Sequence, residues 1–130
     1  MWREVVTNGV GQPGADEVEG AAWIQKHAVA NSQLVHALEQ DLDAGEAEAI
    51  VLASEIKADL LLMDERLGRE TAHYLGLRYI GLIGILVEAK GRGFIGGVKP
   101  HLDALRDLAG FRIKDELYLR ILQDEGEAWP

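Results

Sequence analysis

Two carboxylates stand where an α/β chain can do phosphate chemistry. Asp64 closes the apolar run Asp59-Leu60-Leu61-Leu62-Met63-Asp64, and Glu46 sits three residues after Asp43 at the head of an alanine-rich stretch. The C-terminal edge of strands in an open α/β sheet is where such folds bind ligands. Carboxylate oxygens gathered there are hard donors suited to Mg2+ or Mn2+, cations that work on phosphate esters. Each acid also has a purely structural reading. Glu46 completes a capping box with Asp43, and Asp64 is the N-cap of the helix that follows it.

Most other chemistries are excluded. The chain has no cysteine, which removes disulfides, iron–sulfur clusters, Cys-based zinc sites and thiol nucleophiles. Its serines, Ser32 and Ser54, lie in no Gly-x-Ser-x-Gly elbow, and no Gly-Lys-Ser or Gly-Lys-Thr supplies a phosphate loop. His27, His36, His73 and His101 are too scattered for a paired metal spacing and read as structural or surface residues. Gly91-Arg92-Gly93-Phe94-Ile95-Gly96 spells G-x-G-x-x-G, yet it follows a helix instead of a strand. It reads as a glycine C-cap with a turn.

The elements that must position the two acids follow from periodicity. Residues 2–8 predict a short helical piece, broken by Asn8-Gly9 and by Gly11-Gln12-Pro13-Gly14. Helices are expected from Ala15 to about Ile24 and from Gln33 to about Gln40, with a short strand at His27-Ala28-Val29 between them. Asp43 to Glu46 has capping-box spacing, followed by Ala49, Ile50, Leu52, Ala53 and Ile56 at helical spacing. The run from Leu60 to Met63 is continuous, as in a strand buried on both faces. A helix over 65–74, a strand at Arg78-Tyr79-Ile80 and helices over 82–90, 98–108 and 114–123 complete the chain. Helix, strand, helix, strand, helix between 43 and 90 predicts an α/β fold with a short parallel sheet of two or three strands and right-handed crossovers.

Composition bounds the partners. With 130 residues, 48% of them hydrophobic, one core is feasible without a staple. No apolar run approaches the roughly 18 residues of a spanning helix, and the start Met1-Trp2-Arg3-Glu4 is unlike a signal peptide. No membrane partner and a cytoplasmic, reducing setting are therefore expected. The net charge of −9 is uneven: residues 1–56 hold ten acids and two bases, whereas 66–114 hold nine bases and four acids. Such an acidic whole opposes non-specific nucleic-acid binding and still permits a local basic surface. The bland account of the same charges is a set of solvated helix faces.

A set of segments carries a resemblance. Leu42-Asp43-Ala44-Gly45-Glu46-Ala47-Glu48-Ala49-Ile50-Val51-Leu52-Ala53 is followed by Leu61-Leu62-Met63-Asp64-Glu65-Arg66-Leu67-Gly68-Arg69, Leu75-Gly76-Leu77, Ile80-Gly81 and Gly84-Ile85-Leu86. Ala89-Lys90, Gly93-Phe94-Ile95 and Gly110-Phe111-Arg112-Ile113 complete it. In that order and spacing the chain resembles the PIN-like family of predicted nucleic-acid-binding proteins over nearly its whole length. The resemblance implies a three-layer α/β/α sandwich, Mg2+ or Mn2+ as cofactor, and hydrolysis of single-stranded RNA. It also implies a toxin-type role with a small antitoxin as partner.

Carried over residue by residue, Glu46 matches the family's second acidic position and Asp64 its third, as catalytic and metal-ligating residues. Arg66 and Arg69 would contact phosphates, or else form a surface pair beginning a helix. The family's first strand and its first aspartate have no counterpart, so residues 1–130 read as a single, N-terminally truncated domain. The loss of one ligand weakens cation binding and puts activity in doubt. It also leaves strand edges to be filled, by residues 27–29 repacking toward 60–63 or by another chain in a homo-oligomer. The leading expectation is a metal-dependent ribonuclease relative. The competing ones are a catalytically inert remnant acting as an oligomeric interaction module and, more weakly, a binder of small phosphates at the same sheet edge.

Overall fold

The structure, a computed structural model, describes residues 1–127. Among the described residues, seven α-helices and two short strands follow a π-helical turn at Arg3–Thr7, where the Asn8 N–H reaches back to the Arg3 carbonyl at 2.7 Å. In chain order the helices are α1 (Ala15–Gly20), α2 (Ser32–Leu38), α3 (Ala44–Glu55), α4 (Arg66–Tyr74), α5 (Leu82–Gly91), α6 (Lys99–Asp107) and α7 (Asp115–Asp124). Strand β1 (Leu61–Leu62) precedes α4, and β2 (Tyr79–Ile80) precedes α5. The two strands form one sheet. Leu61 donates to the Arg78 carbonyl (2.8 Å) and Met63 to that of Ile80 (3.0 Å), so donor and acceptor numbers rise together and the strands run parallel. The α/β architecture is the one the 43–90 pattern predicts.

Three local expectations are corrected. Helix α1 stops at Gly20, not near Ile24, because Ala21 is extended (φ −79°, ψ 104°) after a poor helix former. Residues 27–29 form no strand and add nothing to the sheet. The chain just beyond them is held by a side chain instead: the Glu55 carboxylate accepts from the N–H groups of Ala30 (3.0 Å) and Asn31 (2.8 Å). Strand β1 is not buried on both faces. Leu61 is buried, while Leu62 is 60% exposed. A continuous apolar run implies two covered faces only where a layer lies on each.

The chain forms two compact units. The first comprises Met1–Leu61 with Glu65–Arg78. Here α2 packs on α3, α3 on α4 and α1 on the N-terminal turn. Val35, Ala47, Ile50, Val51, Ala53 and Ala72 are buried in it. Helix α3 begins as its spacing predicts. Asp43 Oδ1 accepts from the Glu46 N–H (2.8 Å), and Glu46 Oε2 accepts from the Asp43 N–H (3.2 Å). Both halves of the capping box satisfy donors that the first turn would leave orphaned. Asp43→Ala should destabilise the chain by about 1 kcal/mol and Asp43→Asn by much less, read from urea midpoints.

The second unit comprises Leu62–Asp64 and the chain from Tyr79 on. Val98, Leu102, Ile113, Tyr118, Ile121 and Leu122 form its core, with Ile83, Leu86 and Val87 of α5 packed against them. Polar contacts tie its helices together. Tyr118 donates its hydroxyl to Asp103 Oδ1 (2.5 Å), Lys99 Nζ meets Asp103 Oδ2 (2.8 Å), and the Arg106 guanidinium lies 4.6 Å from the Tyr118 ring centre. The Lys99 ammonium and the Tyr118 hydroxyl hold the Asp103 carboxyl below its ordinary pKa. No helix among the described residues is long and apolar enough to cross a membrane.

Candidate functional site

Asp64 lies at the end of β1 because the strand Leu61–Leu62 delivers it there, two residues before α4 begins. The N-cap of that helix is Glu65, which makes no side-chain capping bond, so the reading of Asp64 as N-cap of the next helix is corrected. Asp64 Oδ1 instead accepts from the Leu82 N–H at 2.8 Å, eighteen residues on, at the start of α5. Helix α5 has Gly81 as N-cap and no side chain of its own to satisfy that donor. Gly81 is needed for the approach, since a Cβ there would lie 2.9 Å from Asp64 Oδ1. The carboxylate thus sits at the positive end of the α5 dipole, within the second unit.

Glu46 belongs to the first unit and stands in the first turn of α3. Its carboxylate is engaged in the capping box, so the structural reading of Glu46 is realised. That contact and a cation would compete for the same oxygens. Arg66 and Arg69 are in the first two turns of α4, three residues apart and therefore on one face. Arg66 is 87% exposed and pairs with Glu70 at 3.4 Å, and Arg69 is exposed. The N-cap Glu65 and Asp64 before it place two carboxylates at the same helix start, so the charge there is mixed.

The donor set suits a divalent cation only in part. Carboxylate oxygen is the right type of ligand, but the number falls short: among the described residues no group of three or more His, Asp or Glu is placed to hold a metal ion. Asp41, Asp43 and Glu65 are not gathered into such a group with either acid.

Sequence reasoning missed two polar centres in the second unit. The Glu127 carboxylate accepts from the N–H groups of Val98 (2.9 Å) and Lys99 (3.1 Å) and from Lys90 Nζ (2.9 Å). Lys90 also donates to the Glu125 carbonyl. These donors, the Val98 N–H foremost, push the Glu127 carboxyl down to about 2. Nothing in the spacing announces a link across 29 residues. The Lys99–Asp103 pair, in contrast, has i,i+4 spacing and was open to reading.

The Gly91-to-Gly96 segment behaves as its position after a helix predicts. Phe94 donates to the Ala89 carbonyl and Gly93 to that of Lys90, both at 2.9 Å, with Gly93 at φ +78°. This is a Schellman ending of α5, not a nucleotide cradle.

The family model of the PIN domain fits residues 1–127. No curated protein and no solved structure matches the chain.

Proposed function

Because this chain belongs to the PIN domain family, we propose that it is a ribonuclease relative that acts on single-stranded RNA with Mg2+ or Mn2+. PIN domains are nuclease-type, nucleic-acid-binding proteins that generally use divalent metals. The match over residues 1–127 is the observation that carries the reading. Glu46 and Asp64 are the two acids assigned to the cation, and no third described carboxylate is grouped with them. Arg66 and Arg69, exposed on one face of α4, are assigned to phosphates. The same inheritance gives a three-layer sandwich as the complete architecture, one domain over residues 1–130, a cytoplasmic setting and a small antitoxin as protein partner.

A second reading, an inert module that works by assembling with copies of itself, is favoured by Leu62. This leucine is 60% exposed on β1 of a two-stranded sheet. An apolar strand residue left open is the kind of surface that pairs with another chain.

Mn2+ titration calorimetry separates the two when the same samples are assayed for cleavage of single-stranded RNA. Expected is a weak Mn2+ site and cleavage in the parent, both lost in the Asp64→Asn, Glu46→Gln double variant. A parent that neither binds Mn2+ nor cleaves sinks the enzyme reading. A concentration-dependent oligomer in sedimentation would then support the second.

A further inference from the structure

Phe94 is a large apolar side chain that the fold leaves unused. It stands at the position after the left-handed Gly93 in the Schellman ending of α5, where a hydrophobic residue ordinarily packs back on the last helical turn. Here it is 77% exposed. Its backbone is nevertheless fixed, since the N–H groups of Gly93 and Phe94 are both bonded to α5 carbonyls. The result is an aromatic ring held out on a rigid turn.

An exposed cation stands two residues before Phe94. From Ala89 to Leu102 the sequence has Lys90, Arg92 and Lys99 and no acid; Lys90 is bound to Glu127 and Lys99 to Asp103, and Arg92 is the most exposed of the three. The Arg92 side chain is 67% exposed, and its Glu88 partner (2.7 Å) forms a surface pair of the kind that contributes little and is shared readily with phosphate. Gly91 and Gly96 stand three residues before and two residues after Phe94 in sequence, and the fold does not require glycine at either. Neither has positive φ, and a Cβ on either would meet open space. Glycine retained where the fold does not require it leaves the backbone open to close approach by a ligand.

We propose that Phe94, exposed on the rigid turn after α5 and flanked by Arg92 and by Gly91 and Gly96, is a stacking platform for an unpaired base of single-stranded RNA, with Arg92 contacting the adjacent phosphate. The inference rests on the ribonuclease reading and adds a substrate-holding residue to it. Asp64 bonds the first residue of α5, and Phe94 follows the last turn of the same ten-residue helix. A helix of that length is about 15 Å long, which about four nucleotides span at stacked spacing. Stacking on an aromatic ring needs a base with a free face, so the platform takes single strands and rejects duplex.

The test is binding of a fluorescent eight-nucleotide oligouridylate to the full chain without divalent metal, read by anisotropy, so that it is independent of cleavage. Phe94→Ala should raise Kd at least fivefold, and Phe94→Trp should restore parental affinity or better it. Arg92→Gln should weaken binding and flatten its salt dependence. Equal affinity of Phe94→Ala and parent overturns the inference and leaves the ribonuclease reading standing. A parent that binds no single-stranded RNA overturns both. Equal affinity for a duplex of the same length also overturns it. So does a Phe94→Ala variant that loses self-association in sedimentation while keeping its RNA affinity, because the ring would then serve a second copy of the chain.

Discussion

Glu127→Ala is expected to destabilise the second unit by on the order of 3 kcal/mol, and the parent is expected to lose a similar amount between about pH 5 and pH 2. The carboxylate joins three elements at once: Lys90 in the last turn of α5, the two N–H groups that open α6, and the chain leaving α7. Gly97 makes room for it, since a Cβ there would stand 2.6 Å from Glu127 Oε1. Alanine removes all three contacts, strips the Val98 N–H of its acceptor and leaves Lys90, 23% exposed, with only the longer Glu125 contact at 3.9 Å as an ion pair. Unpaired donors of this kind carry most of the expected loss.

The acid dependence has the sign of a depressed carboxyl. The folded-state value of about 2 lies below the ordinary 4.5. The contribution is therefore complete above about pH 5 and disappears as pH falls through 2. Glu127→Gln keeps an acceptor for the N–H groups but loses the charge, so its stability should change less than the parent's over that window. A residual slope will remain, because the carboxyls of Asp103 and Glu55 are also held below their ordinary values. Urea midpoints at pH 7, 5 and 3 check this. Identical acid profiles for parent and Glu127→Gln would show that the clasp contributes nothing.

How far the sequence could be read depended on the distance over which each signal acts. The α3 start was legible because both partners of its capping box, Asp43 and Glu46, lie within one turn. The ending of α5 was legible for the same reason, with Gly93 setting the turn. The role of Asp64 was not, since its donor is eighteen residues away and on a different element from the one it precedes. Glu127 was beyond reach too, because acceptance from Val98 and Lys99 depends on how α6 and α7 pack. At β1 the apolar run told of a strand but not of its layers, and Leu62 is exposed where burial was expected. The stretch His27-Ala28-Val29 had strand-like composition without a ladder to join. For the candidate site the sequence offers two acids, Glu46 and Asp64, and they stand in separate units, each bonded to a helix-start N–H.

Asp64→Asn is expected to lower RNA cleavage at least 100-fold while leaving the fold nearly as stable as the parent, and Asp64→Ala to lower both. Two functions meet on this one side chain. The first is structural: Oδ1 accepts from the Leu82 N–H at the start of α5, a donor that Gly81 has no side chain to satisfy. Asparagine keeps an oxygen at that position, so the stability change should be below about 1 kcal/mol, whereas alanine should cost about 1–2 kcal/mol. The second function belongs to the ribonuclease reading, in which the negative charge holds a divalent cation. Asparagine removes that charge outright. Changes one shell further from a metal already cost about 10–100-fold, so loss of a ligand sets the lower bound used here. Initial rates with Mn2+ and single-stranded RNA, beside urea midpoints on the same three proteins, separate the functions. Cleavage retained in Asp64→Asn with stability lost only in Asp64→Ala would reduce Asp64 to the cap of α5 and remove it from the cation site.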